Sequence, residues 1–344
     1  MAPFRASIDH IEAGKVLSRE EADSLMEEVL SGCVATPDIV RLLVAMNRRP
    51  PQVEELVGLA LAMRRHMVKP FGDSALPERL VDTCGTGGKS FATFNISTAA
   101  MFVAAAAGAR VAKHGNRGMS SRSGSADVLE SLGVRVDIPV QGHAQAIRDL
   151  GIGFLFAQLA HVSMRHAVEA RRQIGARTVF NLLGPLTNPA GAKFQLVGVP
   201  SAELVDVLAA ALAALGTEHA LVVHGAGGLD EISLAGETVV AEVRAGMVRR
   251  FALAPEDFGL NGAALEKVSG GSPAENAVMI RSILEGETGA RRDVVVMNAA
   301  AVLVVVDAAP DFRKGARLAA EALESGAAKS KLDELARFTK KFTK

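Results

Sequence analysis

Two loops rich in glycine and small polar residues, separated by an alanine-rich run, occupy residues 82–127 and restrict what this chain can fold into. The first loop carries the glycines Gly85, Gly87 and Gly88. Because glycine has no Cβ, the backbone can approach a ligand closely there. Ser97 and Thr98 follow where a helix is predicted to begin, and the free N–H groups of a first helical turn attract anions.

The second loop supplies positive charge and neutral hydrogen-bond donors. Its cations are Lys113, Arg117 and Arg122, and its neutral polar residues are Asn116, Ser120, Ser121, Ser123 and Ser125. Together the two loops offer many donors, positive charge and little side-chain bulk. That combination is typical of a site for a small molecule with several phosphate groups.

Two known phosphate-binding motifs match this stretch only in part. The dinucleotide pattern G-x-G-x-x-G begins at Gly85 and Gly87 but has Ser90 in place of its last glycine. The triphosphate pattern G-x-x-x-x-G-K-[ST] matches residues 88–90 but has Thr83 in place of its first glycine. An NTPase therefore stays a minor alternative.

Composition argues against several classes of protein. Lys and Arg number 38, as do Asp and Glu, so no net field draws the 344-residue chain to nucleic acid or an anionic membrane. The apolar run at residues 294–306 is interrupted by Asn298 and is too short to span a bilayer. The first residues lack a signal-peptide core, and Cys33 and Cys84 fit neither a disulfide framework nor a zinc site. We expect a cytoplasmic protein of about two domains.

The periodicity of the chain predicts a helical region followed by an α/β region. Ser18 and Glu21 form a capping box, and Thr36 is the expected N-cap of the next helix, with Pro37 after it. A third helix is predicted over residues 53–67. From residue 80 onward, short apolar strands alternate with helices, which is typical of a mostly parallel sheet. The predicted strands are residues 110–112, 152–156, 194–199 and 220–224, and the predicted helices are 99–107, 140–150, 163–175 and 202–215, with mainly helix after 253.

The motifs along the chain resemble those of the anthranilate phosphoribosyltransferase family. They are GTGG, FNIST, KHGN and SGSADVLESLG within residues 85–133, FNLLGPLTNP at 180–189, GLDEIS at 228–233 and SPAENA at 272–277. The resemblance covers nearly the whole chain, with the motifs in family order. It implies a small N-terminal helical domain plus a larger α/β domain with a mostly parallel central sheet, the nucleoside phosphorylase/phosphoribosyltransferase class that resembles pyrimidine phosphorylases.

The resemblance also implies how the chain is divided. Residues 1–72, with about 161–190, form the helical domain, which dimerises and contributes to the anthranilate site. Residues 73–160, with about 191–344, form the α/β domain, which binds phosphoribosyl pyrophosphate (PRPP). A homodimer with two Mg²⁺ ions per subunit is expected.

The implied reaction transfers the phosphoribosyl group of PRPP to the amine of anthranilate and releases pyrophosphate, a step of tryptophan biosynthesis. The aromatic amine is already neutral at pH 7, so no catalytic residue in the sense of a nucleophile or strong base is expected. The protein's task is positioning and electrostatic stabilisation of the departing pyrophosphate.

Site residues follow from the resemblance. The expected PRPP contacts are Gly85, Gly88, Lys89, Thr93, Asn95, Ile96, Ser97, Thr98, Lys113, His114, Gly115, Asn116, Arg117, Gly118, Met119, Ser120, Ser121 and Ser125. The expected Mg²⁺ ligands are Ser97, Asp230 and Glu231. The expected anthranilate contacts are Gly85, His114, Asn116 and Arg171, with His161 as a weaker candidate and Gly184 and Pro185 as an apolar wall.

Two positions depart from the family pattern, and two other functions stay open. Lys89 stands where the family usually has Asp, so we expect it to replace part of the metal's role in binding pyrophosphate. Val162 stands where Pro is common, which we expect to matter little. The alternatives are a nucleoside phosphorylase of the same architecture and a non-catalytic relative that binds nucleic acid.

Overall fold

Four helices open the chain. The computed structural model describes residues 2–72, 74–88, 91–118 and 122–342. The opening helices are α1 Ala2–Glu12, α2 Arg19–Leu30, α3 Thr36–Met46 and α4 Val53–His66. The capping box of α2 is confirmed, since Ser18 Oγ accepts from Glu21 N at 3.1 Å and Glu21 Oε2 accepts from Ser18 N at 2.8 Å. The N-cap predicted at Thr36 is wrong by one residue, because Thr36 is already helical and Ala35 is the cap.

One mixed sheet forms the centre of the rest of the chain. Its strands are β1 Leu80–Gly85, β2 Arg110–Gly115, β3 Ile152–Phe156, β4 Phe194–Gly198, β5 His219–Gly225, β6 Thr238–Arg244 and β7 Met247–Leu253. The spatial order is β3-β2-β1-β4-β5-β6-β7, and the first five strands are parallel. The predicted mostly parallel sheet is therefore confirmed.

An antiparallel hairpin of β6 and β7 closes one edge of this sheet, and the sequence does not predict it. Its turn places both Ala245 and Gly246 at positive φ, 50° and 79°. A two-residue hairpin turn of this kind normally has Asn or Asp before Gly, so Ala245 conceals the signal.

Helices cover both faces of the sheet. They are α5 Ile96–Ala106, α6 Ser125–Ser131, α7 Val140–Leu150, α8 Ala157–Ala160, α9 Val168–Ile174, α10 Leu183–Leu186, α11 Glu203–Ala214, α12 Pro273–Leu284, α13 Ala290–Val305, α14 Phe312–Glu324 and α15 Ala327–Thr339. The single helix predicted over residues 163–175 is wrong, because a 3₁₀ turn at Val162–Ala167 precedes α9. No helix in the described ranges is long and apolar enough to cross a lipid bilayer.

Two large apolar clusters and a smaller one, around Phe71 and Leu155, form the core of the described residues. On one face, α5, α13 and α15 pack together, and small residues such as Ala99 and Ala104 are fully buried there, which allows close contact. On the other face, α11 packs with the opening helices and with residues of the 167–186 segment, among them Ala170 and Phe180. Residues distant in sequence, from the chain start and from the 160s to 180s, therefore share one core.

A buried asparagine connects this core to the loop after β5. Asn298 lies in the otherwise apolar helix α13 and has no exposed surface. Its Nδ2 donates to Ile232 O at 3.0 Å and to Val294 O at 2.8 Å, and its Oδ1 accepts from Ile232 N at 3.0 Å. Both backbone groups of Ile232 are thereby satisfied away from water. The asparagine that interrupts the apolar run fixes the residue next to Glu231.

We expect Asn298→Leu to lower the free energy of unfolding. The change leaves the buried N–H and C=O of Ile232 without partners, at a cost of about 1–3 kcal/mol for each group. Urea unfolding followed by circular dichroism measures the loss. Asn261→Leu, at an exposed loop position, is the matched control and should unfold like the parent protein. Equal midpoints for the two variants would show that Asn298 does not brace the loop.

Candidate active site

The carboxyl ends of the parallel strands create a crevice. The chain runs from β1 outward through β2 to β3, then returns to β4 on the other side of β1. In open α/β sheets, ligands bind outside the carboxyl ends at such a reversal of strand order. β1 ends at Gly85 and β4 ends at Gly198, so the crevice lies beside these two glycines.

The acidic pair Asp230 and Glu231 lies directly across these strand ends. A Cβ added to Gly198 would stand 1.6 Å from Asp230 O, and one added to Gly85 would stand 2.7 Å from Asp230 Oδ2. A third glycine, Gly225 at the end of β5, allows the same approach to Glu231 O at 2.3 Å. Only glycine fits at these strand ends, because any side chain would displace the loop that carries the two carboxylates.

Ser97 meets this acidic pair from the opposite side of the crevice. It lies in the first turn of α5, as expected, and its backbone N–H donates to Glu231 Oε1 at 3.3 Å. Lys113 Nζ lies 3.2 Å from Ser97 Oγ. The fold thus brings together two residues that lie 134 positions apart in the sequence.

Lys113 lies beneath the crevice and not at its surface. The side chain is 2% exposed, and its Nζ also contacts the carbonyl oxygen of Thr83. Burial lowers the pKa of Lys113, while the nearby carboxylates of Asp82, Glu231 and Asp230 oppose that shift. In the described residues Lys113 is a buried cation that links β1, β2 and α5, and its expected contact with phosphate stays a prediction.

The oxygen atoms gathered here suit Mg²⁺. Ser97 offers a hydroxyl, and Asp230 and Glu231, both at most 6% exposed, offer carboxylates. Among the described residues, no group of three or more His, Cys, Asp and Glu side chains could hold a metal by itself. Mg²⁺ is commonly bound through one or two carboxylates, with water and substrate phosphates as its other ligands. The residues present fit a Mg²⁺ ion that shares its ligands with a phosphorylated compound.

Asn95 joins three loops and has its side chain fully engaged. Its Nδ2 donates to Ser123 O at 3.2 Å, and its Oδ1 accepts from Ser123 Oγ and from Asn276 Nδ2, both at 2.9 Å. Asn276 in turn accepts from Gly271 N at 2.7 Å. The neighbouring Ile96 is fully buried in the core, so only its backbone faces a ligand. The sequence analysis missed Asn276, although the SPAENA motif includes it.

The loop after β2 is closed by one carboxylate. Asp127 Oδ2 accepts from the backbone N–H groups of Gly118 and Gly124, each at 2.9 Å, and Oδ1 accepts from Arg117. Burial would raise the pKa of Asp127, but these hydrogen bonds and the Arg117 charge lower it overall. Arg117 also donates to both carboxylate oxygens of Glu130, at 2.6 and 2.8 Å. Two carboxylates hold the Arg117 side chain, and its expected contact with phosphate stays a prediction.

Two buried histidines mark the other end of the crevice. The rings of His114 and His161 lie 5.1 Å apart, and His114 Nδ1 contacts Gly184 O at 3.0 Å. The Nε2 atoms of both rings are buried, and neither has a hydrogen-bond partner among the residues that the structure describes. Burial lowers the pKa of His114 and lowers that of His161 to about 3, so both rings are neutral at pH 7.

A buried aspartate that the sequence analysis missed connects His114 to Asn188. Asp82 has no exposed surface, and it accepts from His114 N at 3.0 Å and from Asn188 Nδ2 at 2.7 Å. Asn188 belongs to the FNLLGPLTNP segment. An acidic residue inside an apolar strand could have given the signal, because a buried charge is costly unless it is paired.

Arg171 is available for a ligand. It lies in the last turn of α9, and its guanidinium makes no hydrogen bond or ion pair with any residue that the structure describes. Burial lowers its pKa from a high starting value, so it stays positively charged. The neighbouring Arg172, in contrast, is exposed and paired with Glu169 at 2.7 Å.

The remaining candidates lie along the same edge or outside the described residues. Asn116 and Gly118 follow β2, and Asn116 Oδ1 accepts from Arg117 N at 2.8 Å. Ser125 Oγ donates to Asn116 O at 3.3 Å. The other candidates within the described ranges are Gly88, Thr93, Thr98 and Gly115, and those outside them are Lys89, Met119, Ser120 and Ser121.

Comparison with known proteins gives one consistent result. Residues 5–67 match the glycosyl transferase family helical bundle domain, and residues 77–329 match the glycosyl transferase family a/b domain. The anthranilate phosphoribosyltransferase of Pelotomaculum thermopropionicum is 51% identical over 336 residues, which cover 98% of this chain and 96% of the relative. That of Chloroflexus aggregans is 49% identical over 334 residues, which cover 96% and 97%.

Solved structures agree with this result. The anthranilate phosphoribosyltransferase of Thermus thermophilus has a TM-score of 0.90 and 43% identity, over 97% of this chain and 99% of that one. The enzyme of Saccharomyces cerevisiae in complex with PRPP and Mg has a TM-score of 0.89 and 27% identity, over 99% of each chain.

Buried histidines with lowered pKa values, among them His161 and His143, predict a pH dependence of stability. The pKa of His161 is lowered from 6.5 to about 3 in the folded chain. The contribution of His161 to the free energy of unfolding is therefore fully present above about pH 6.5 and falls by about 1.4 kcal/mol for each pH unit below that, down to about pH 3. Urea unfolding between pH 4 and 8 measures the slope. His161→Gln should reduce the slope, whereas His10→Gln, at a partly exposed site, should not. An unchanged slope in His161→Gln would contradict the assignment.

Proposed function

The chain belongs to the anthranilate phosphoribosyltransferase family, and from that premise we propose how its residues divide the work of the reaction. The protein transfers the phosphoribosyl group of PRPP to the amine of anthranilate, giving N-(5-phosphoribosyl)anthranilate and pyrophosphate in tryptophan biosynthesis. The residue assignment rests on the hydrogen bond from Ser97 N–H to Glu231 Oε1 at the carboxyl edge of the sheet. The named relatives support this activity and not that of a nucleoside phosphorylase or a nucleic-acid-binding relative.

The activity is tested by mass detection of the phosphoribosylated product from PRPP, anthranilate and Mg²⁺. Folded protein should give the product and one equivalent of pyrophosphate. No product over a wide range of Mg²⁺ concentrations would contradict the assignment.

The PRPP site uses backbone groups more than cationic side chains. The glycine loop at residues 85–88 and the N-terminal end of α5, where the helix dipole is positive, are the proposed neighbours of the phosphate groups. The loop after β2 is held in place by Asp127, which accepts from the N–H groups of Gly118 and Gly124. Groups that are fixed before the ligand binds stabilise the negative charge that grows on pyrophosphate as it leaves. We also propose that the candidates outside the described ranges, Lys89 among them, contact PRPP.

Ser97, Asp230 and Glu231 are the proposed Mg²⁺ ligands, and two ions per subunit are proposed. The cation neutralises phosphate charge when it is bound. This chain's part is to fix the three oxygen donors through the glycines beneath Asp230 and through Asn298 behind Ile232. The S. cerevisiae relative was solved with PRPP and Mg, which supports the use of this ion.

Anthranilate is proposed to bind between the two histidines and Arg171. Arg171 suits the carboxylate, because a guanidinium can donate two parallel hydrogen bonds to it. His114 and His161 are neutral, buried rings 5.1 Å apart that we propose pack against the ring of anthranilate, and Asn116 directly follows β2. The chain orients the neutral amine toward the ribose and excludes water, and none of its side chains needs to form a bond with the sugar.

We further propose a division into two domains, a homodimer and a cytoplasmic location. Residues 1–72 with about 161–190 form the helical domain, and residues 73–160 with about 191–344 form the α/β domain. The shared apolar core of the opening helices and the 167–186 segment supports this division. On the outer side of these helices, Val44 of α3 and Val168 of α9 are 43% and 57% exposed. Such side chains suit the interface of a dimer.

Arg171→Ala should weaken the use of anthranilate far more than that of PRPP. Charge-assisted hydrogen bonds are worth about 1.5–3 kcal/mol, so the KM for anthranilate should rise roughly 10- to 100-fold. Steady-state kinetics with each substrate varied in turn measures this. Arg172→Ala is the matched control, because that arginine is exposed and paired with Glu169. Equal losses for both substrates would show that Arg171 does not bind the acceptor.

The double variant Val44→Glu with Val168→Glu should be monomeric. A buried unpaired carboxylate at each position opposes association. Light scattering at micromolar concentration gives the mass. Val278→Glu is the control, because Val278 is 66% exposed on α12, outside the proposed helical domain. A dimer that survives the double change, or a monomeric parent protein, would reject this interface.

A further inference from the structure

A cavity of about 180 Å³ opens between the end of α3 and the glycine loop after β1. Asn47, Thr86, Gly87, Arg177, Thr178 and Leu204 are among its lining residues. None of the proposed Mg²⁺ ligands lines it, and neither does Arg171, Asn116 or either of the paired histidines. The cavity is therefore separate from the proposed acceptor site, although it borders the same loop.

One guanidinium on the cavity wall has no partner among the described residues. The two charged residues that line the cavity are Arg49 and Arg177. Arg49 is neutralised by the buried Glu55, with Nη1 to Oε2 at 2.8 Å. The Arg177 guanidinium, by contrast, forms no hydrogen bond or ion pair within the described residues. An anion entering the cavity would therefore find a cation that no carboxylate already occupies.

The position of Arg177 is fixed although its charge is unused. Its backbone carbonyl accepts from Asn47 Nδ2 at 2.7 Å, which ties it to the end of α3. Its guanidinium rests on Gly88, where an added Cβ would stand 1.9 Å from Cζ. Arg177 is an exposed residue, so a ligand can reach its guanidinium from solvent.

A second unused polar group lies beside it. Thr178 is 5% exposed, and its Oγ1 is buried without a hydrogen-bond partner in the part of the chain that the structure describes. Buried polar groups normally have a partner, so an unsatisfied hydroxyl on the wall of a cavity indicates a place for one. The remaining wall is largely apolar and includes Met46, Leu182 and Leu204. Ligand sites typically combine an apolar wall with a few convergent polar groups in this way.

We propose that this cavity binds a small aromatic monocarboxylate. The carboxylate pairs with the Arg177 guanidinium and accepts from Thr178 Oγ1, and the ring packs on the apolar wall. Planar carboxylates match the donor geometry of arginine, and one cation balances one negative charge. This site is distinct from the proposed acceptor site, which Arg171 marks. Its test rests on the proposed function only because the assignment of Arg171 is used to tell the two sites apart.

The probe is 4-fluorobenzoate, observed by ¹⁹F NMR on the full-length protein. It has no amine, so it cannot be phosphoribosylated. We expect binding at the cavity to persist in Arg171→Ala, which removes the acceptor-site partner. The double change Arg171→Ala with Arg177→Ala should weaken that remaining binding roughly tenfold or more. Thr178→Val in the Arg171→Ala background should weaken it by a smaller factor, and Arg172→Ala in that background should leave it unchanged.

Three results would overturn the proposal: no binding to the parent protein at millimolar probe, loss of all binding in Arg171→Ala, or equal binding with and without Arg177. Circular dichroism checks that each variant is folded, and Thr178→Val gives an independent test that keeps the Arg177 charge. Product formation from PRPP and anthranilate is measured on the same samples. Turnover without cavity binding would reject this site while leaving the proposed function intact.

Discussion

The close packing of the Asp230 backbone on the strand-end glycines is the contact on which the rest of the site depends. With Gly198 and Gly85 beneath it, the loop can lie flat across the ends of β4 and β1. Only in that position does Glu231 come within hydrogen-bond reach of the first turn of α5. The reversal of strand order opens the crevice, and the glycines allow two carboxylates to enter it.

Most charged groups around the crevice are held by partners within the protein. Asp82 is shared between β2 and the FNLLGPLTNP segment, Asp127 ties together the loop after β2, and Lys113 is bound beneath α5. These groups shape the site before any ligand arrives, which is the arrangement that electrostatic catalysis requires. Arg171 and Arg177 differ from them, because neither guanidinium has a partner among the described residues.

Much of this organisation could be predicted from the sequence, and the exceptions have physical reasons. The glycine-rich loops, the capping box at Ser18 and the parallel strands follow from local patterns. The fixed partners of Arg117 and Asn95 could not be predicted, because Glu130 and Asn276 come within reach only through the fold. The β6–β7 hairpin was concealed by alanine at a turn position of positive φ. Local sequence thus indicates which residues a site contains, whereas tertiary contacts decide which of them remain free for a ligand.

The central claim is that Ser97, Asp230 and Glu231 form the Mg²⁺ site at the carboxyl edge of the sheet. Mn²⁺ can replace Mg²⁺ at oxygen sites and scatters anomalously, so crystals grown with PRPP and Mn²⁺ test the claim directly. The account predicts anomalous peaks at ligand distances of about 2 Å from Ser97 Oγ and from the carboxylate oxygens of Asp230 or Glu231. Mn²⁺ bound to PRPP without contact to any of these three residues would contradict it.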